Sequence, residues 1–217
     1  MDTPLQLVIG NRNYSSWSLR AWLAIRHSGL AFEEIFIPLD RPETRAAIAL
    51  HSPSGLVPVL KIGDAVVWES LAIIETLNEL APDAGLWPAD QLARATARAV
   101  SAEMHAGFSR LRRDMPMDMR NSYSGRGHSD GALADTGRVI TIWADCRQRF
   151  GKDGPYLFGR WCAADIMFAP VVSRFRSYGV PVDARTTDYL DAVWAQPDMA
   201  AWVEQAKAEP FSIENLK

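Results

Sequence analysis

Two short segments have residue types and spacing suited to chemistry. In Asn13-Tyr14-Ser15-Ser16-Trp17-Ser18-Leu19-Arg20, hydroxyls stand directly before apolar residues at helical spacing. Such hydroxyls cap free backbone N–H groups, and the positive end of the helix there favours a bound thiolate. The second segment is Gly55-Leu56-Val57-Pro58-Val59-Leu60, followed after a short hairpin by Trp68-Glu69-Ser70-Leu71. A proline directly before a strand lacks an N–H and fixes its own φ. A cis Val57-Pro58 bond would turn the chain sharply and leave the Val57 N–H and C=O free to pair with an extended guest. Ser70 is a good N-cap, and the helix start it opens suits a carboxylate. Together these pieces predict a site for a small peptide with a free carboxylate.

The elements that must position them follow from periodicity. Leu5–Ile9 reads as a strand, Ser16–Ile25 as a helix, Phe32–Ile37 as a second strand and Pro42–Leu50 as a short helix. Val59–Ile62 and Ala65–Trp68 form a hairpin around Gly63-Asp64, and Leu71–Leu80 is helical. This half is a small α/β sheet. Ala81–Pro88 is dense in turn residues and reads as a linker. Beyond it only helices are expected: a long alanine-rich one from Ala89 or Asp90 to about Arg113, then Ala132–Phe150, a central apolar Ala164–Tyr178, Thr187–Ala195 and Asp198–Ala208.

Length and composition bound the function. The 217 residues suffice for one large domain or two small ones, and a net charge of −3 suggests neither a nucleic-acid footprint nor a polybasic membrane patch. No apolar run approaches a bilayer span and no signal-peptide pattern opens the sequence, so a cytoplasmic protein without membrane partners is expected. The only cysteines, Cys146 and Cys162, make no CxxC pattern, and His27, His51, His105 and His128 fall into no metal-ligand spacing. No metal site is predicted, and His105 and His128 read as structural or surface residues.

The Val57-Pro58 turn, the Glu69-Ser70 helix start and the Ser-Ser-x-Ser-x-Arg string together resemble the glutathione transferase superfamily over essentially the whole chain. The string is similar to the Ser-Ser-Cys-Ser-x-Arg motif of the zeta class, whose members include maleylacetoacetate isomerases. The resemblance implies a thioredoxin-like α/β N-terminal domain (1–81), a linker (82–89) and an all-α C-terminal domain (90–217). It implies glutathione as cosubstrate, a homodimer, and transfer of the glutathione sulfur to a small electrophile. The alternatives are a glutathione-dependent cis-trans isomerisation or a binding module without turnover, since the fold alone does not fix function.

Carried over by residue, the thiol-activating hydroxyl is Ser15, with Ser16 and Arg20 alongside; the serine-to-arginine spacing of other serine classes points to Ser16. Trp17 replaces the motif's cysteine, which argues against disulfide exchange. Val57 and Pro58 would hold the cysteinyl backbone, and Glu69 and Ser70 the γ-glutamyl end. Arg41, Arg45 and His51 are available for the glycyl carboxylate. Trp17, Met104, Phe108 and Arg112 are the expected substrate contacts, with Met104, Phe108, Leu111, Arg112 and Met115 on one helical face and Arg113 beside them. Gly159–Asp165 is similar to the family's helix-capping box, with Cys162 in place of the usual hydroxyl and therefore a weaker cap.

Overall fold

The computed structural model describes residues 4–213. Alternating side chains along the first strand set up a two-faced sheet. In β1 (Leu5–Ile9), Leu5, Leu7 and Ile9 enter the main core, while Val8 joins Ile37, Ile48 and Val59 in a smaller cluster on the opposite face. β1 runs parallel to β2 (Glu33–Phe36) through the crossover helix α1 (Ser16–Ser28), which ends at Gly29 in the left-handed conformation, φ 73°. After α2 (Thr44–Ala49), β3 (Val59–Ile62) pairs antiparallel with β1, and β4 (Ala65–Trp68) antiparallel with β3. The strand order is β2-β1-β3-β4, and α3 (Ser70–Leu80) packs beside α1 on the main-core face. This is the mixed sheet with helices expected for the N-terminal half.

Past a short 3-10 turn at Pro82–Ala84, the chain is mostly helical. It forms α4 (Gln91–Ala106), α5 (Ser109–Asp114), α6 (Asp130–Phe150), α7 (Ala163–Tyr178), α8 (Ala184–Ala195) and α9 (Pro197–Ala208). Almost every residue of α7 is buried, as its composition predicts. The long helix expected through Arg113 instead breaks at Gly107-Phe108. Gly107 is extended and Phe108 left-handed, φ 57°, with its ring buried. Arg112 turns back to donate to the carbonyls of Met104, at 3.3 Å, and Gly107, satisfying acceptors that a helix end leaves open. α6 and α8 begin earlier than expected because Ser129 and Asp183 accept from the N–H groups of Ala132 (3.2 Å) and Thr186 (2.8 Å).

The two halves lock around the β1–α1 loop. Arg20 is fully buried, and its Nε donates to the Met167 carbonyl of α7 at 2.9 Å. Glu209, just beyond α9, accepts from the Arg12 N–H at 2.7 Å and from the Asn11 side chain. Among the described residues, no helix is long and apolar enough to cross a membrane.

Candidate functional site

The two segments singled out in the sequence meet at one cavity of about 200 Å³, lined by Trp17, Val57, Pro58, Glu69 and Ser70, with Ser54, Leu56 and His105 completing the wall. The Val57-Pro58 bond is cis. No backbone hydrogen bond joins the Val57 N–H or C=O to another described residue.

Across the cavity, α3 starts on Glu69, whose φ of 69° is a left-handed value that a side-chain-bearing residue adopts only when its surroundings impose it. The Ser70 side chain opens α3, is 1% exposed, and its Oγ has no hydrogen-bond partner among the described residues. Burying a hydroxyl unpaired is costly, so this group suits an acceptor brought by a ligand.

The start of α1 divides its serines. Ser15 is the N-cap: its Oγ accepts from the Ser18 N–H at 3.3 Å and donates to Ser18 Oγ at 2.8 Å, which in turn accepts from the Gly10 N–H at 3.0 Å. Ser16 lies just inside the helix, and its hydroxyl takes no part in the cap. Both are nearly buried. The Arg20 guanidinium stacks on Trp17 with its centre 4.4 Å from the ring centroid, and Arg112 approaches the same ring at 5.6 Å. Burial, followed by repulsion from Arg174 and Arg112, lowers the Arg20 pKa.

The remaining expected contacts fall elsewhere. Met104 is fully buried and Phe108 nearly so; both belong to the main core and neither lines the 200 Å³ cavity. Arg112 is occupied in capping α4. Arg41, Arg45 and His51 also lie outside that lining, and Arg41 instead stacks over Phe211. Cys162 donates its thiol to Asp165 Oδ2 at 3.4 Å, and its N–H donates to the same oxygen at 3.1 Å.

Sequence reasoning missed His105. It projects from α4 into the cavity wall, with Nε2 3.4 Å from Glu69 Oε2 and its ring edge-on to Trp17, 5.2 Å between centroids. Its partners lie on distant elements, so no local pattern marks it.

A second, larger cavity of about 1030 Å³ opens beyond Tyr14, between Pro116, Tyr123, Arg126, Tyr178 and Ser212. Residues 14–17 therefore run from one cavity to the other, with the serine pair between them. Asp118 anchors this side, accepting from Asn13 Nδ2 (2.9 Å) and Tyr123 OH (2.7 Å). Burial would raise its pKa, but hydrogen bonds from Asn121, Tyr123, Asn13 and the Arg120 N–H outweigh it and hold the carboxyl below its ordinary value. Burial and this carboxylate push the Tyr123 hydroxyl up to about 12.

Residues 14–80 match the family model for the glutathione S-transferase N-terminal domain. A probable maleylacetoacetate isomerase of Caenorhabditis elegans is 35% identical over 100 residues, 46% of each chain, so the match spans less than half of that relative. The maleylacetoacetate isomerase of Pseudomonas aeruginosa is 29% identical over 80% of this chain and 82% of its own. In architecture, a glutathione transferase homolog from Burkholderia, solved with bound glutathione, superposes with a TM-score of 0.72 at 24% identity, covering 96% of this chain and all of that one. Residues 14–80 thus match a glutathione S-transferase N-terminal domain, the whole chain shares the fold of the Burkholderia glutathione transferase homolog, and its sequence is similar to maleylacetoacetate isomerases.

Proposed function

We propose that this protein is a glutathione transferase that binds glutathione in the Val57–Ser70 cradle and presents its thiol to a small electrophile. The buried, unpartnered Ser70 hydroxyl carries this reading, because a γ-glutamyl carboxylate would supply its missing acceptor at a helix start that favours negative charge. Bound glutathione would supply the nucleophilic sulfur. The chain's own work is to hold the γ-glutamyl end at Glu69 and Ser70, pair the cysteinyl backbone with Val57, and donate a serine hydroxyl to the sulfur. Of the two serines, Ser15 must release its bond to Ser18 to donate, whereas Ser16 has no such bond to break. The electrophile would enter from the larger cavity past Tyr14, which replaces Met104 and Phe108 as the substrate wall.

The second reading is a glutathione-dependent isomerase, supported by the names of the C. elegans and P. aeruginosa relatives. Both readings use the same thiolate and differ only in whether the carbon–sulfur bond persists in the product. Glutathione titration followed by calorimetry, then thiolate absorbance of the complex, tests both; absence of binding removes them together. Product analysis with a conjugating electrophile and with a cis-configured diketo acid separates them. We further propose a cytoplasmic homodimer. Exposed Leu56 and Trp68 on the sheet half and Leu92 on the helical half suit such pairing, and a monomer by light scattering would overturn it.

A further inference from the structure

His105 and Glu69 come from different halves of the molecule and meet in the wall of the proposed γ-glutamyl pocket. Glu69 is held there by a left-handed backbone that no glycine relieves, so its carboxylate is aimed by the fold. His105 Nε2 lies 3.4 Å from that carboxylate, with the His105 side chain 28% exposed and that of Glu69 53% exposed. The His105 Nδ1 is buried without a partner among the described residues. Trp17 fixes the ring from the α1 side. The charged groups around the imidazole are Glu69 at the start of α3, Arg20 on α1 and Arg112 on α5. Burial, then the two arginines, lowers the His105 pKa against the opposing pull of Glu69, so the ring is neutral at neutral pH.

The ligand's γ-glutamyl end carries an ammonium as well as a carboxylate. With Ser70 taking the carboxylate, Glu69 is the only acid among the described residues that line the pocket and the natural partner for the ammonium. A neutral imidazole leaves that carboxylate available. A protonated one pairs with it and sets a second positive charge against the incoming ammonium. We infer that His105 is a positioning residue whose protonation competes with the ligand ammonium for Glu69, making γ-glutamyl recognition fall as pH falls. This inference rests on the glutathione reading and extends it to the regulation of that site.

The test uses S-methylglutathione, which has no thiol to titrate, with the full chain at pH 5.0, 6.0 and 7.5. Calorimetry should give binding ~5-fold weaker at pH 5.0 than at 7.5 in the wild type, the scale of one partly exposed ion pair. In His105→Gln the two values should agree within about twofold. By linkage, the wild-type His105 resonance in NMR, assigned through its contact with Trp17, should titrate at lower pH when the ligand is bound. This second measurement needs no variant. A pH-independent wild type, the same fall in His105→Gln, or a His105 pKa that ligand leaves unchanged or raises overturns the inference while leaving the cradle intact. No wild-type binding at pH 7.5 sinks the glutathione reading itself, and this inference with it.

Discussion

Two helices of this protein start beside an acid and a small polar side chain, yet the two starts have opposite character. At α7, Asp165 is completely buried and its carboxylate accepts from Leu157 N–H (3.0 Å), Cys162 N–H (3.1 Å), Cys162 Sγ and Tyr189 OH (3.2 Å). At α3, Glu69 has a left-handed backbone, its carboxylate lies 3.4 Å from a histidine in the wall of a cavity, and Ser70 is buried with no partner among the described residues. The first start is closed on itself and stabilises the fold. The second holds unmet hydrogen-bonding capacity, which a fold tolerates where a ligand supplies the remainder.

The comparison breaks most visibly at Asp165. Asp165→Ala leaves buried donors of three residues, Leu157, Cys162 and Tyr189, unpaired and should lower stability by about 3–5 kcal/mol in chemical denaturation. A loss below about 1 kcal/mol would mean that the box is ornamental. Its pH dependence has a definite sign. Burial pushes the Asp165 carboxyl up to about 6, with the hydrogen bonds opposing. The folded state therefore takes up this proton before the unfolded chain, whose carboxyl titrates near 3.9. Stability from this group is greatest below about pH 4 and declines as pH rises through about 6. The advantage of wild type over Asp165→Asn should shrink across that window, and a gap that widens instead contradicts the assignment.

Ser70→Ala is the mirror experiment. Removing a hydroxyl that bonds nothing should leave stability unchanged or slightly raised, because an unpaired buried polar group is a cost. Glutathione affinity should nevertheless fall by the worth of one charge-assisted hydrogen bond, about 1.5–3 kcal/mol or roughly 10- to 150-fold. Lost stability with unchanged affinity would make α3 as purely structural as α7.

What the sequence disclosed follows the same divide. The cis Val57-Pro58 turn and the helix start at Glu69-Ser70 were legible because they are local patterns whose backbone consequences reach only a residue or two. The strands and α1 were legible from periodicity. The break at Gly107-Phe108 was hidden because helical spacing continues across it, and the stop depends on Arg112 folding back onto open carbonyls. Met104 and Phe108 show which face of their segment is apolar, but not that core rather than cavity covers it. His105 was invisible because its partners Glu69 and Trp17 lie on other elements, far away in sequence, and only the tertiary fold brings them to it. The early starts of α6 and α8, by contrast, had a readable signal in the capping residues Ser129 and Asp183.

A smaller effect separates the serines at α1. Ser15→Ala removes the N-cap and should cost about 1 kcal/mol of stability, while Ser16→Ala should cost little. The pKa of the bound glutathione thiol, read by thiolate absorbance, reports the other role independently. The variant that returns it toward about 8.5 identifies the donor, and a donor identified as Ser15 means that its bond to Ser18 opens on binding. If neither variant moves it, both hydroxyls serve the helix alone.

The smallest expected change tests whether the start of α7 is as complete as its acid suggests. Cys162 was expected to weaken the cap because sulfur is a poor acceptor, yet its thiol acts as a donor to Asp165 Oδ2 at 3.4 Å. Burial, then the neighbouring carboxylate, pushes the Cys162 pKa well up, so it remains a neutral thiol. Cys162→Ser would set a stronger acceptor before the first-turn N–H groups of Ala164 and Asp165, which the sulfur already meets, and a stronger donor to Asp165, a gain of up to about 1 kcal/mol. Against this stands the loss of a larger, more apolar atom from a site that is 3% exposed, which costs a comparable amount. The two should nearly cancel, leaving a net change within about 0.5 kcal/mol in denaturant midpoint. A gain above 1 kcal/mol would show that the thiol leaves α7 underfilled, and would narrow the contrast with α3. A loss of that size would show that the sulfur is there for its packing, with Asp165 alone holding the helix start.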